Sequence, residues 1–202
     1  RSKEISKEIE EIEKIKEKIK NKIELLLSSL PNIALDDVPI GKDEKSNVVV
    51  KKHGEINNLK FKPSSHYEIG KKINLMDFDT ATKTSGSRYV FLKGSLAQLE
   101  RAISNFMLDY HTNEFGYQEI SPPLIANDRA MYGTGQLPKF ENDQFEIKLE
   151  DDKSRKFLIP TAEVILTNTV RDSFVEREKL PLRLVASTAC FRKEAGSYGK
   201  DT

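Results

Sequence analysis

Apolar and charged positions alternate with a helical period over residues 1–30. From Ser2 to Leu30 there is no glycine or proline, and aliphatic residues recur every three or four positions among lysine and glutamate. These residues are Ile5, Ile9, Ile12, Ile15, Ile19, Ile23, Leu26 and Leu30. The spacing predicts one long helix with a single apolar stripe. Such a helix needs a partner, either from the same polypeptide or from another molecule, because it is too thin to be stable alone.

A polar connector follows this helix. Pro31 ends the helix, since proline cannot continue its hydrogen bonds, and residues 32–47 are polar and interrupted by proline and glycine. The run of valines from Val48 to Val50 predicts a short strand, and residues 54–63 predict a further loop.

The remainder of the chain mixes short strands and helices, and it contains most of the glycine and proline. The pattern predicts a strand within 85–93, a helix from Gly94 to Gly116, a strand at 117–120 and a small helix near Asp128. Strands are then predicted near 145–149 and at 157–159. A helix capped by Thr161, with Glu163 in its first turn, and a strand over 182–192 follow. Irregular interleaving of this kind favours an α+β fold, with an antiparallel or mixed sheet covered by helices. We therefore divide the chain into a helix at 1–30, a connector at 31–63 and a globular part at 64–202.

Composition narrows the class of protein. The 33 Lys and Arg nearly balance the 32 Asp and Glu, so binding to nucleic acid would have to come from local patches. The single cysteine, Cys190, excludes an internal disulfide, and in a predicted strand we interpret it as a small buried residue. No stretch approaches the roughly 20 apolar residues of a bilayer span. We expect a cytoplasmic protein without a membrane segment.

The sequence contains no common motif for binding a metal ion or a nucleotide. His53, His66 and His111 are scattered and lack neighbouring ligands at metal-binding spacing, so we predict no metal site. The sequence contains neither a P-loop nor a dinucleotide-binding fingerprint.

Two pairs of polar residues could bind a substrate. In a strand, Arg192 and Glu194 would share one face, where a donor fork and an acceptor could hold a phosphate and an amine, or simply form a surface ion pair. Thr161 and Glu163 could bind an ammonium group, or could only cap a helix. The pattern alone leaves both alternatives open.

Several segments resemble the seryl-tRNA synthetases, in the order and approximate spacing of that family. They are 158–168 (LIPTAEVILTN), 191–202 (FRKEAGSYGKDT), 116–125 (GYQEISPPLI) and 131–140 (MYGTGQLPKF), joined by 31–44 and 66–79, which are similar to bacterial-type members. The resemblance covers essentially the whole chain. It implies that the globular part is the first portion of a class II catalytic domain built on an antiparallel sheet. Residues 1–30 would then be half of an antiparallel coiled-coil arm that binds tRNA.

The resemblance also implies roles for individual residues. Segment 116–125 corresponds to the first class II signature, whose proline, here Pro123, lies at the dimer interface. Segment 191–194 begins the second signature, so Arg192 would be catalytic and would contact the α-phosphate of ATP. Lys193 and Glu194 complete the implied ATP-binding set, with Glu194 facing the adenine amino group.

The serine substrate is implied to bind at Thr161, Ala162 and Glu163. The expected reaction is activation of L-serine by ATP, assisted by Mg²⁺, followed by transfer to tRNA(Ser) and also tRNA(Sec), in a homodimer. We expect the chain to be a fragment, inactive by itself, with the third signature and the serine-hydroxyl reader beyond Thr202.

Alternative functions come from two classes. One is another class II synthetase, such as that for threonine or proline, or a synthetase-like ligase that charges a carrier protein. The other is a non-catalytic RNA-binding or coiled-coil protein. The lysines of the first helix fit either tRNA contacts or an ordinary solvated face; they are Lys14, Lys16, Lys18, Lys20 and Lys22.

Overall fold

The computed structural model of this chain describes residues 2–148 and 154–193. The chain divides into two compact units, Arg1–Lys60 and Phe61–Thr202. The finer division at residues 30 and 63 stays a prediction.

The first unit contains the predicted long helix, α1, over Ser2–Ser29. No residue of α1 is buried, and the members of its apolar stripe are each about half exposed. Burying an aliphatic side chain of this size is worth about 1.5–3 kcal/mol, so the stripe is a surface that a partner helix would stabilise.

The connector after α1 has little regular structure. A short 3-10 helix, Glu44–Ser46, begins where the Asp43 carboxylate accepts the backbone N–H of Lys45. The predicted strand at Val48–Val50 is wrong, because within residues 2–60 no neighbouring strand pairs with it. High β-propensity favours a strand only when the pleated surface packs against something.

Two helices that the sequence pattern did not predict open the second unit. Helix α2 (His66–Lys72) begins with a capping box, in which Ser65 and Glu68 satisfy each other's backbone N–H groups. Strand β1 (Met76–Asp77) pairs antiparallel with β2 (Phe91–Leu92). Helix α3 (Phe78–Ser85) connects the two strands in the sequence.

Helix α4 follows over Gly94–Phe115, as predicted. It ends at Gly116, whose left-handed φ of 63° suits a residue without a Cβ. Strand β3 (Gln118–Glu119) then pairs in parallel with β7 (Leu184–Val185). The predicted strand over 182–192 is therefore confirmed only at β7, and Cys190 is exposed and lies outside any strand.

The central element of the second unit is a three-stranded antiparallel sheet. Its order is β4 (Ile125–Asn127), β6 (Lys156–Leu158) and β5 (Glu146–Ile147). Helix α5 (Asp128–Gly133) follows β4 directly, and helix α6 (Glu163–Thr167) follows β6 after a short turn. Short 3-10 helices occupy Glu141–Asp143, Asn168–Val170 and Arg177–Lys179.

The hydrophobic core lies between this sheet and its two short helices. Its buried members are Ala126, Ala130, Met131, Leu137, Phe157, Ile159 and Val164. Phe157 is 1% exposed and Met131 is 0% exposed, so β6 and α5 are held at the centre of the unit. The fold is α+β, as the sequence predicts, and its strands pair antiparallel except for the parallel pair β3 and β7. Across the described part of the chain, no helix combines the length and apolarity needed to cross a bilayer.

Candidate functional site

The site is built on the end of strand β6. Leu158 donates its N–H to the carbonyl of Phe145 at 3.0 Å, and Ile159 donates to the carbonyl of Leu124 at 2.9 Å. Ile159 and Pro160 are buried. Backbone hydrogen bonds to Phe145 on one side and Leu124 on the other thus hold the chain just before Thr161.

Helix α6 begins one residue later than a Thr161 cap would require. Ala162 is the N-cap, and its carbonyl accepts from Ile165 and Leu166, both at 3.0 Å. The Thr161 hydroxyl still accepts the N–H of Glu163 at 3.4 Å. The predicted cap is therefore wrong by one position, although the threonine oxygen does receive an unpaired N–H of the first turn.

A cavity of about 490 Å³ lies beside the start of α6. Its walls come from α6 and its continuation and from the β7 region: Ala162, Glu163, Leu166, Thr167, Thr169, Val170, Leu182, Leu184, Val185 and Ala186. Glu163 is the charged member of this mainly apolar lining. Glu163 is exposed, so its carboxylate is accessible to a cationic group that enters the cavity.

Residues 191–193 dock beside the same strand end. Phe191 donates its N–H to the carbonyl of Ile159 at 2.9 Å, and Lys193 donates to the carbonyl of Asp143 at 2.9 Å. These residues have no strand assignment in the described chain, so the predicted shared strand face of Arg192 and Glu194 is not observed. Glu194 itself lies outside the described residues.

The side chain of Arg192 points back to β6. Its Nε donates to the carbonyl oxygen of Pro160 at 3.2 Å, across 32 positions of sequence. A guanidinium has five N–H donors, so this bond leaves the four on its two terminal nitrogens to contact an anion. Lys193 lies close by, with its Nζ 5.8 Å from the centre of the Phe145 ring. The structure thus brings Arg192 next to the predicted serine-binding segment.

An ion-pair network that the sequence did not reveal supports this strand. Arg155 donates from Nε and Nη2 to the two carboxylate oxygens of Glu146, at 2.8 and 3.0 Å, and also pairs with Glu141. Its Cζ lies 5.0 Å from the centre of the Phe157 ring. The hydrogen bonds from Arg155 lower the pKa of the Glu146 carboxyl. Only the strand register brings these residues together, so no local sequence signal identifies the network.

Another cavity, lined by several charged residues, contains none of the predicted site residues. It has a volume of about 510 Å³, and its lining includes Arg129, Arg155 and Arg171. Each of these arginines faces a carboxylate: Asp172 lies 3.8 Å from Arg129 and 3.7 Å from Arg171, and Glu141 pairs with Arg155. This cavity is therefore a poorer anion site than the surroundings of Arg192.

Of the predicted site residues that the structure describes, Ala162 and Glu163 line the cavity beside α6, whereas Thr161, Arg192, Lys193 and Pro123 do not. Pro123 is exposed in the loop between β3 and β4, and the lysines of α1 are exposed. Among the described residues, no cluster of three or more His, Cys, Asp or Glu could hold a metal ion.

Known proteins are similar to this chain over all or nearly all of its length. The family described as tRNA synthetase class II core domain (G, H, P, S and T) matches residues 144–200. The serine–tRNA ligase of Pelagibacter ubique is 66% identical over 202 residues, covering 100% of this chain and 48% of its own length. That of Parvibaculum lavamentivorans is 52% identical over 201 residues, covering 98% of this chain and 46% of its own.

Solved structures give the same result. The crystal structure of seryl-tRNA synthetase from Pyrococcus horikoshii complexed with ATP has a TM-score of 0.82 at 35% identity, covering 100% of this chain and 48% of that one. The cytoplasmic serine–tRNA ligase of Naegleria fowleri in complex with AMP has a TM-score of 0.79 at 27% identity, covering 94% and 44%. The chain spans about half the length of the curated relatives it matches.

Proposed function

We propose, on the premise that this chain belongs to the seryl-tRNA synthetase family, that its full-length protein activates L-serine with ATP and transfers it to tRNA(Ser). The observation that carries the proposal is the hydrogen bond from Arg192 to the carbonyl of Pro160, the residue immediately before Thr161. It supports a single site in which a phosphate-binding arginine adjoins an ammonium-binding pair.

Serine binding is assigned to Thr161, Ala162 and Glu163. The Glu163 carboxylate opens onto the mainly apolar cavity of about 490 Å³, where it would pair with the substrate ammonium group. The Thr161 hydroxyl already accepts a backbone N–H, and it can donate its own proton to a substrate oxygen.

ATP binding is assigned to Arg192, Lys193 and Glu194. In the first step a carboxylate oxygen of serine attacks the α-phosphorus of ATP, the bond to the β-phosphate oxygen breaks, and pyrophosphate leaves. Negative charge grows on the α-phosphoryl oxygens, and the terminal nitrogens of Arg192 would stabilise it. Pre-orientation by the Pro160 carbonyl means that less side-chain freedom is lost when the nucleotide binds. The ATP bound in the Pyrococcus horikoshii structure supports the choice of ATP as the nucleotide.

Mg²⁺ would arrive with the nucleotide. The described residues provide no carboxylate cluster for it, so we assign it no protein ligand in this part of the chain. Its chemistry would be to offset the charge of the triphosphate.

Transfer to tRNA is the second step. A ribose hydroxyl at the end of the tRNA attacks the carbonyl carbon of seryl-adenylate, and AMP leaves. We assign α1 to the tRNA-binding arm, since its apolar stripe requires a partner helix and its lysines can contact phosphates. The same arm would accept tRNA(Sec). A homodimer with Pro123 at its interface, and a cytoplasmic location, complete the proposal.

The decisive test is the amino-acid specificity of the full-length protein. ATP–pyrophosphate exchange should depend on L-serine. Alanine and proline should support it at least about 10²-fold less, because they lack the hydroxyl and would leave the polar groups that bind it unpaired. Threonine keeps the hydroxyl and should be rejected through its extra methyl group, by about 10- to 200-fold. Exchange that prefers threonine or proline would assign the chain to another class II synthetase. Failure of every amino acid to support exchange would favour a non-catalytic RNA-binding protein.

A further inference from the structure

The orientation of helix α6 has to come from outside the helix. It is five residues long, Glu163–Thr167, which is too short to be stable by its own hydrogen bonds. Burial of Val164, which is 0% exposed, holds the helix against the core. Hydrophobic contact is non-directional, however, so it does not fix which way Glu163 faces.

Asn168, the residue after α6, provides directional contacts. Its Nδ2 donates both protons, one to the carbonyl of Val164 at 2.7 Å and one to the carbonyl of Ala130 at 3.1 Å. Its Oδ1 accepts from Nη1 of Arg171 at 3.1 Å. Val164 belongs to α6 and Ala130 to α5, so one amide group joins the two helices.

Helix α5 is itself fixed to the sheet. The Asn127 side chain accepts the N–H of Ala130 at 2.8 Å at the end of β4, and Ala126 of β4 pairs with Phe157 of β6. Strand β6 leads through Pro160 back to α6. The contacts therefore close a ring that runs from β6 through α6, Asn168, α5 and β4 to β6 again.

The packing around Asn168 is tight. A Cβ added at Gly133 would lie 3.2 Å from Oδ1 of Asn168, which is closer than nine in ten real Cβ contacts. The side chain amide thus has a defined place between the helices, and only a group with two N–H donors can donate to both carbonyls from that place. The Ala130 carbonyl also accepts the Thr134 hydroxyl at 3.2 Å, but Thr134 does not connect α5 to α6.

We infer that Asn168 is a positioning residue that turns Glu163 toward the substrate cavity by joining α6 to α5. This inference rests on the proposed function, since it assigns the orientation of the serine-binding carboxylate. Asn168 lies outside the cavity lining and acts through the helix that carries Glu163.

The test uses the full-length protein and measures serine-dependent ATP–pyrophosphate exchange. Asn168→Asp presents an oxygen to both carbonyls, and we expect it to raise the KM for serine about tenfold or more, as small displacements of a binding group do. The KM for ATP should stay within about twofold, because Arg192 is held by Pro160 and not by α6.

A second variant, Asn168→Ser, keeps the test decisive if Asn168→Asp does not fold. A serine hydroxyl can still bond to the carbonyl four residues back, as in many helices, but it does not reach Ala130. Its melting temperature should stay close to wild type, with a raised KM for serine. Arg171→Gln is the matched control, since it removes the bond to Oδ1 and the ion pair with Asp172 but leaves both Nδ2 bonds of Asn168 in place. It should change the KM for serine less than about twofold, as expected for exposed contacts.

The outcomes separate the inference from the proposed function. A wild-type protein without serine-dependent exchange would overturn both. An active wild type whose two Asn168 variants keep the serine KM, or raise the KM for serine and for ATP equally, would overturn only the positioning role. A raised serine KM with unchanged ATP KM and unchanged folding supports it.

Discussion

Arg192 donates its Nε proton to the carbonyl oxygen of Pro160 at 3.2 Å, and Pro160 immediately precedes Thr161. The proposed phosphate-binding arginine is therefore held at the end of strand β6, next to the residue that leads into the proposed serine-binding segment. Had Arg192 lain on another side of the sheet, the assignment of both pairs to one site would have failed.

Replacing Arg192 tests the charge-stabilising role. In the full-length protein we expect Arg192→Ala to lower serine-dependent ATP–pyrophosphate exchange by about 10²-fold or more, the scale for removal of one preorganised donor. Arg192→Lys should also be impaired, because an ammonium keeps the charge but lacks the planar donor fork. Near-normal exchange in both variants would remove Arg192 from the mechanism.

Replacing Glu163 tests the ammonium contact. Glu163→Gln removes the negative charge and keeps the size, so we expect the KM for serine to rise about tenfold or more, in line with the strength of charged hydrogen bonds. The KM for ATP should change little. Glu178→Gln, at an exposed carboxylate outside the cavity, is the control. Equal effects of the two substitutions would contradict the assignment.

The cap of helix α3 predicts a dependence of stability on pH. Asp77 accepts from the N–H of Thr80 and from Nζ of Lys93, and these hydrogen bonds lower its pKa from 3.8 to about 2. A carboxyl whose pKa is depressed in the folded state stabilises it above the unfolded pKa, and this stabilisation disappears as pH falls through the folded pKa.

We therefore expect Asp77→Ala to lower the urea midpoint of unfolding at pH 7 and down to about pH 4, with the difference from wild type shrinking toward pH 2. Asp79→Ala, two residues along the same helix, is the control, since Asp79 makes neither hydrogen bond. A difference that stays constant over this pH range would refute the charged cap.

The core around β6 predicts a contrast between two phenylalanines. Phe157 is 1% exposed, so Phe157→Ala should cost about 3–5 kcal/mol in the free energy of unfolding, from reduced burial and the cavity left behind. Phe174 is fully exposed at 107%, and Phe174→Ala should change stability by less than about 0.5 kcal/mol. Urea unfolding of the two variants measures the difference, and similar decreases would mean that Phe157 is not a core residue in solution.

The lysines of α1 predict the salt dependence of tRNA binding. Changing Lys14, Lys16, Lys18, Lys20 and Lys22 to Gln should weaken binding of tRNA(Ser). It should also flatten the plot of log affinity against log salt, by about 0.7–0.9 for each phosphate that a lysine no longer neutralises. An unchanged slope would identify these lysines as an ordinary solvated face.

The local spacing of apolar residues was sufficient to predict the two long helices. The three- and four-residue spacing of α1 and α4, and the glycine after α4, predict helices that the structure confirms. Helix α2 has a local signal in the capping box of Ser65 and Glu68, three residues apart, but it is too short for a clear apolar period and was not predicted. The strand predicted at Val48–Val50 is wrong because a strand needs a neighbouring strand, and no short window of sequence shows whether one is present.

By itself the sequence determined the α+β class, the main helices, the family resemblance and which residue types could bind phosphate and ammonium groups. Only the tertiary structure decided that Arg192 contacts Pro160, that Arg155, the residue before β6, pairs with Glu146 of β5, and that Asn168 joins α6 to α5. The physical reason is that helical period and capping are set by residues a few positions apart. These three contacts depend instead on strand register and on how distant segments pack, which is set by the chain as a whole.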